Sequence, residues 1–112
     1  MVLSLRMLFS IIFLSMLAVT IRASTMESLF NIPAVVTNDP WFIATLFDAY
    51  AGFLTFYAWV FYKTPKIWAR IAWLVAILLL GNVAMSFYML WLLFRLPANA
   101  SPQEILLRSS KD

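Results

Sequence analysis

Two of the long apolar runs carry polar side chains at helical spacing, and Asp48 is the one able to do the most chemistry. Thr45 and Thr55 share a helical face with Asp48, at i−3 and i+7. Asn82 and Ser86 are four residues apart and share a face of another run. A carboxylate among hydroxyl and amide groups can bind a partner helix, hold a ligand or move a proton. These five residues are the candidate intramembrane polar site.

Small residues accompany both groups and predict helix packing. Gly52 lies on the Asp48 face, and Gly81 and Ala84 lie beside Asn82. Counting residues from the ends of the runs places the two faces at similar depths, so we expect them to face each other. Asn82 and Ser86 can then either form hydrogen bonds between the two helices or bind a ligand.

Three roles remain open for Asp48. It can act in binding, proton movement or a partner contact; it can pair structurally with Arg22 or Arg95; or it can reach water from a nearby interface. A charge at that depth costs roughly 2.5 to 3.5 kcal/mol on insertion scales, so its presence needs a reason.

Most catalytic chemistry is absent from the sequence. The chain has no Cys and no His, which excludes thiolate and imidazole metal sites and the Ser-His-Asp triad. Two glycines cannot form a glycine-rich phosphate loop, and Asp48 is the only acid inside an apolar run. We expect no enzyme activity and no cofactor. The net charge of +3 forms no basic stripe that would track a nucleic acid.

The elements that position these residues are predicted to be membrane helices. The 112 residues are 64% hydrophobic and 12% charged, with a mean hydropathy of +0.91. Three runs, at residues 3–21, 41–62 and 70–94, are each near the ~20 residues that cross a bilayer. The sequence therefore predicts an all-α, integral membrane protein, one domain over 1–112 with three transmembrane helices, short interfacial helices and a polar tail at 95–112.

All five tryptophans fall near the predicted span ends, where an indole ring anchors a helix at the membrane interface. They are Trp41, Trp59, Trp68, Trp73 and Trp91.

The first run also resembles a secretory signal peptide, because a basic start precedes "MLFSIIFLSMLAV". Cleavage of a signal peptide needs a small residue at both recognition positions before the junction. Junctions after Thr20 or Ser24 do not have this pair, and Arg22 occupies one of the two positions for the Ser24 junction. We expect an uncleaved span; cleavage, which would leave a two-helix hairpin, is the alternative.

Three cap signals mark helix starts outside the runs. They pair Ser24 with Glu27, Asp39 with Pro40, and Ser101 with Glu104. The first predicts an interfacial helix with Met26, Leu29 and Phe30 toward lipid, the second begins the second span, and the third begins a short surface helix after the membrane region.

Charge predicts the orientation only weakly. With three spans, Arg6, Lys63, Lys66 and Arg70 lie on one side, and Arg22, Arg95, Arg108 and Lys111 on the other. We expect a cytoplasmic amino terminus, because the acid-free loop "YKTPKIWAR" is the densest cluster and the free amine adds a charge.

The segments "DPWFIATLFDAY", "WVFYK" and "LLLGNVAMSFYMLWLLFRL" resemble a plant and bacterial membrane-protein family, domain of unknown function 1475. The resemblance covers residues 38–96. It implies a small multi-pass protein in which an aspartate at the position of Asp48 recurs, and it implies no activity.

The sequence therefore predicts a small multi-pass membrane protein, a non-enzymatic accessory or interaction subunit whose polar stripe around Asp48 binds a partner membrane protein or a second copy. The alternative is an oligomeric transporter or proton-conducting unit with Asp48 in the path. Short length and family resemblance favour a bacterial inner membrane. We expect the protein to contact the lipid bilayer and such a partner, and not to bind nucleic acid.

Overall fold

The computed structural model describes residues 1–28 and 31–108, and within these ranges the chain is all-α, as predicted. Six helices follow one another: α1 (Val2–Met26), α2 (Ala34–Thr37), α3 (Pro40–Lys63), α4 (Ile67–Leu80), α5 (Asn82–Phe94) and α6 (Pro102–Leu106). Leu29, Phe30 and Lys111, which entered the predictions above, lie outside the described residues.

Two helices are long and apolar enough to cross a membrane, α1 with 25 residues and α3 with 24. At ~1.5 Å per residue each is about 36 to 38 Å long. The predicted start of α3 is confirmed, since Asp39 Oδ1 accepts hydrogen bonds from the backbone N–H of Trp41 at 2.9 Å and Phe42 at 3.3 Å. The helix ends because Thr64 precedes Pro65 and is extended.

The predicted interfacial helix starting at Ser24 is wrong. Ser24 lies inside α1, which runs on to Met26 and ends where Glu27 is extended. No glycine or proline occurs in α1, so nothing interrupts the helix at the predicted boundary. A short helix, α2, does follow before α3, with Pro33 at its N-cap position.

The third predicted span is divided in two. Gly81 has φ 57° and ψ −124°, a backbone conformation that glycine can adopt and other residues avoid. It separates α4, with 14 residues, from α5, with 13. Each is about 20 Å long, less than the ~30 Å of a bilayer core. Three transmembrane helices are therefore not confirmed.

The two short helices fold back on each other as an antiparallel hairpin. The ring of Trp73 in α4 lies 4.9 Å from that of Tyr88 and 6.1 Å from that of Trp91, both in α5. The hairpin packs along one half of α3, where the Tyr57 hydroxyl donates to the Arg70 carbonyl at 2.7 Å. Its tip reaches the middle of α3, where the ring of Phe53 packs against Gly81 and the Tyr50 hydroxyl donates to the Leu78 carbonyl at 3.4 Å.

The core is centred on α5. Six of its residues are buried: Ala84, Ser86, Tyr88, Met89, Leu92 and Leu93. Helix α1 runs antiparallel to α5, because Arg6 near its start donates to the carbonyl oxygens of Leu93 at 3.1 Å and Leu96 at 2.8 Å. The guanidinium thereby binds carbonyls at the end of α5, where the regular i to i+4 hydrogen bonds of the helix have stopped.

The segment containing α6 is tied to the end of α3. The predicted capping box of Ser101 and Glu104 is present at its start. Trp59 Nε1 donates to the Leu106 carbonyl at 2.9 Å, and Lys63 Nζ donates to the Leu107 carbonyl at 2.7 Å. One molecular end, here called the basic end, therefore gathers the starts of α1 and α4, the ends of α3 and α5, and α6.

Candidate functional site

Asp48 lies on a part of α3 that the rest of the chain does not cover. It is exposed, and it precedes Phe53, the residue beneath the hairpin tip, by five positions. That separation is about 7.5 Å along the helix axis. Asp48 therefore lies farther than Phe53 from the basic end, and the hairpin leaves its side chain exposed.

The neighbours of Asp48 on the same helical face are small and exposed. We call this face the α3 stripe; it comprises Ala44, Thr45, Asp48, Gly52 and Thr55, all exposed. Thr45 Oγ1 donates to the Trp41 carbonyl and Thr55 Oγ1 to the Ala51 carbonyl, each at 2.8 Å. Their hydroxyl oxygens can still accept hydrogen bonds from another molecule.

The middle of the α3 stripe is open. A Cβ added at Gly52 would meet no atom within 4 Å, apart from the helix itself. A second helix can approach the backbone closely at such a position. The stripe therefore has the shape of a helix-packing surface, and Asp48 supplies its one charge.

The polar residues of α5 are arranged differently. Ser86 is only 2% exposed, and its hydroxyl donates to the Asn82 carbonyl of its own helix at 2.6 Å. The Asn82 side chain is exposed at the hairpin tip. The structure does not bring Asn82 or Ser86 against the α3 stripe, since Ser86 is buried in a hydrogen bond within its own helix and the residues of the stripe are exposed.

The predicted packing residues divide between covered and open positions. Gly81 is buried, and a Cβ there would lie 2.7 Å from Phe53 Cζ. Ala84 is also buried. These two residues pack inside the chain, whereas Gly52 presents an uncovered surface.

A structural ion pair for Asp48 is not formed in the described part of the chain. Neither Arg22 nor Arg95 lies within ion-pair distance of its carboxylate there. Arg95 instead places its guanidinium 4.5 Å from the centre of the Trp91 ring, at the basic end.

The five tryptophans do not all behave as separate anchors. Trp41 and Trp68 are strongly exposed, at 82% and 67%. Trp59, Trp73 and Trp91 instead surround Tyr88, with ring centres 5.8, 4.9 and 5.8 Å from it. A continuous third span would have put Trp73 and Trp91 at opposite membrane faces, and the hairpin brings them together.

Sequence reasoning missed the importance of Tyr88 and Lys63. Tyr88 is 1% exposed and Lys63 is 4% exposed. The spacing of Tyr88 and Trp91 at i and i+3, and of Trp59 and Lys63 at i and i+4, indicates shared helix faces. It could not indicate that those two faces meet.

Comparison with known proteins gives one match. A family described as "Protein of unknown function (DUF1475)" matches residues 1–111. No curated protein and no solved structure matches the chain.

Proposed function

The chain belongs to the DUF1475 family of proteins of unknown function, and from that starting point we propose that it is a non-enzymatic, multi-pass membrane protein. Its proposed role is that of an accessory subunit whose α3 stripe binds a helix of another membrane protein. The observation that carries the proposal is the exposed Asp48 on a helix long enough to span a bilayer.

The exposed apolar surface supports a membrane location. Large apolar side chains are exposed along α1, and the hairpin tip presents Leu79 at 78% and Leu80 at 56%. Continuous apolar surface of this kind is unfavourable in water and favourable in lipid. We propose that α1 and α3 span the bilayer, and that the α4–α5 hairpin enters it from the basic end and stops part of the way across.

The turn at the hairpin tip is compatible with that depth. Non-helical backbone inside a membrane must be satisfied by protein groups. The Gly81 N–H donates to the Ile77 carbonyl at 2.8 Å, and the Gly81 carbonyl accepts from Met85 at 3.0 Å. The Tyr50 hydroxyl of α3 lies 3.4 Å from the Leu78 carbonyl and donates to it.

The distribution of cations gives this topology an orientation. Six of the seven cations in the described residues lie at the basic end: Arg6, Lys63, Lys66, Arg70, Arg95 and Arg108. Only Arg22 lies toward the other end, in the last part of α1. Lys and Arg favour the cytoplasmic side, and this supports the proposal that the basic end faces the cytoplasm.

A carboxylate on an exposed helix face is costly in lipid. Asp48 lies seven residues after Trp41, about 10 Å into the membrane from that end. At such a depth acidic side chains are almost always turned toward protein or water. Since the chain itself leaves the α3 stripe uncovered, the covering surface comes from another molecule.

A partner with a hydrogen-bond donor or a cation fits Asp48 better than a second copy does. A symmetric pair of α3 stripes would bring two like-charged carboxylates together, and their repulsion opposes the contact. An Asn, Arg or Lys on a foreign helix would instead satisfy the carboxylate, while Gly52 lets that helix approach.

The test is affinity purification of the tagged chain from native membranes in mild detergent. Wild type is compared with Asp48→Asn, which removes the charge, and with Gly52→Leu, which fills the open part of the stripe. Glu27→Gln is the matched control, because Glu27 is an exposed acid outside the stripe. Complex mass and co-purifying proteins are measured together.

A stoichiometric foreign membrane protein that is lost in both stripe variants and kept in the control supports the proposal. A homo-oligomer that neither variant changes overturns it. The interrupted α4–α5 hairpin would then favour the second candidate, an oligomeric transporter or proton-conducting unit, because broken helices line the substrate sites of many transporters.

A further inference from the structure

A large cavity opens at the basic end, between α4, α5 and the α6 segment. Its volume is about 1060 Å³, at the upper end of the roughly 300 to 1,000 Å³ of small-molecule sites. Nineteen residues line it, drawn from the end of α3, the first half of α4, the second half of α5 and the residues around α6. None of them belongs to the α3 stripe, so the cavity is a separate feature.

The inner wall of the cavity is aromatic. Trp73, Tyr88, Trp91 and Phe87 line it together, and their rings pack in a cluster with the Trp73 and Tyr88 rings edge to face at 86°. Such rings provide a rigid apolar surface with a few polar edges. This wall suits a hydrocarbon chain and gives no cluster of carboxylates that would suit a metal ion.

The mouth of the cavity is cationic. In the described part of the chain, Lys63, Lys66, Arg95 and Arg108 line it together with the carboxylate of Glu104. Lys63 is 4% exposed and donates to the Leu107 carbonyl, so the chain itself holds it in place. Lys66 and Arg95 are exposed, and the Arg95 guanidinium lies over the Trp91 ring of the aromatic wall.

The cavity combines an apolar wall with a positive mouth at the level where the helices end. In a membrane that level is the headgroup region, and basic pockets there recognise anionic lipid headgroups. We propose that the cavity binds one phospholipid with an anionic headgroup, whose phosphate lies near Lys66 and Arg95 and whose acyl chain packs against Trp73 and Trp91.

This inference depends on the membrane location proposed above and not on the Asp48 contact. It concerns a resident lipid that fills the gap between the hairpin and α6, and it involves no covalent chemistry.

The test uses the full chain purified in a neutral detergent and native mass spectrometry. Phosphatidylglycerol and phosphatidylcholine with the same acyl chains are added in turn. Lys66→Gln and Arg95→Gln each remove one exposed cation from the mouth, and Arg22→Gln is the charge-matched control outside the cavity.

A second pair of variants probes the apolar wall without changing charge. Ala72→Phe fills part of the cavity, and Ala58→Phe is the control, because Ala58 is exposed and does not line the cavity.

The expected result is preferential retention of phosphatidylglycerol. Each lost mouth cation should weaken its binding about fivefold, which is the effect of one Lys or Arg near an anionic surface. Ala72→Phe should reduce retention of both lipids, while Arg22→Gln and Ala58→Phe should leave retention unchanged.

Equal retention of the two lipids would overturn the proposal, as would equal losses in Arg22→Gln and in the mouth variants. Membrane fractionation separates this outcome from failure of the proposed function. If carbonate releases the chain from membranes and the released chain still binds phosphatidylglycerol in detergent, the cavity assignment stands and the spanning topology is wrong.

Discussion

Replacement of Gly81 by alanine tests the feature on which the fold depends most. At φ 57° and ψ −124° an L-residue is strained, and residues forced into such regions cost about 1 to 3 kcal/mol. The new Cβ would also lie 2.7 Å from Phe53 Cζ. Since that atom is the far edge of a ring that can shift, most of the cost remains in the backbone, and we expect a loss of about 2 kcal/mol in the free energy of unfolding.

Gly52→Ala is the matched control within the same chain. Gly52 lies in the interior of α3 with open space around it. Alanine is there expected to stabilise the helix by about 0.5 to 1 kcal/mol. The two substitutions add the same methyl group and should therefore change stability in opposite directions.

The measurement is unfolding in mixed micelles with increasing dodecyl sulfate, followed by far-UV circular dichroism and tryptophan fluorescence. Fluorescence is informative because Trp59, Trp73 and Trp91 surround Tyr88 and report on the closed hairpin. If Gly81→Ala were as stable as wild type or more so, residues 67–94 would form a continuous helix. The hairpin and the reasoning built on it would then be refuted, and the predicted three-span topology would return.

Two further predictions follow from the same arrangement. Because the chain has no cysteine, single cysteines at exposed Asn31 and Asn99 can be labelled in intact cells with a membrane-impermeant maleimide. Two spans put these positions on opposite sides of the membrane, so only Asn31→Cys should react. Reaction of both variants would indicate three spans. Arg6→Leu removes a charged donor from two carbonyls at the end of α5 and should cost about 1.5 to 3 kcal/mol of unfolding free energy. Arg22→Leu, at an exposed position, should change it by less than about 0.5 kcal/mol, and equal effects of the two would contradict the assigned role of Arg6.

Local signals in the sequence predicted helix starts well where a cap was available. Asp39 with Pro40, and Ser101 with Glu104, begin α3 and α6 as expected, because capping involves only neighbouring residues. The Ser24 signal failed for the opposite reason. A cap can start a helix only where the preceding helix has ended, and nothing in residues 21–24 ends α1.

The division of the third span could not be predicted from pattern. An isolated glycine in a long apolar run is compatible with an unbroken helix at a cost of about 1 kcal/mol. What opposes the unbroken helix here is tertiary, since the break lets the ring of Phe53 pack on Gly81 and lets Tyr88 reach Trp73. Contacts between residues so far apart in sequence leave no periodic signal.

For the candidate site, too, local spacing was predictable and tertiary placement was not. Helical periodicity placed Thr45, Asp48, Gly52 and Thr55 on one face, and the structure has that face exposed. The position of the face that holds Asn82 and Ser86 was not predictable. Its depth in the membrane was counted along a third span that was assumed to be one continuous helix. Once the chain turns at Gly81, α5 runs back toward the basic end and away from Asp48.

The turn at Gly81 accounts for both proposed binding surfaces, although they share no residues. By ending α4 at Leu80, it leaves the far half of α3 uncovered, and Asp48 with it. By reversing the chain, it returns Arg95 to the end where Lys66 lies, and so places cations around an aromatic wall. A continuous helix would have separated those two cations by about 40 Å of membrane and headgroup. The stripe proposed to bind a protein and the cavity proposed to bind a lipid are therefore two consequences of one backbone conformation, at opposite ends of the same helix α3.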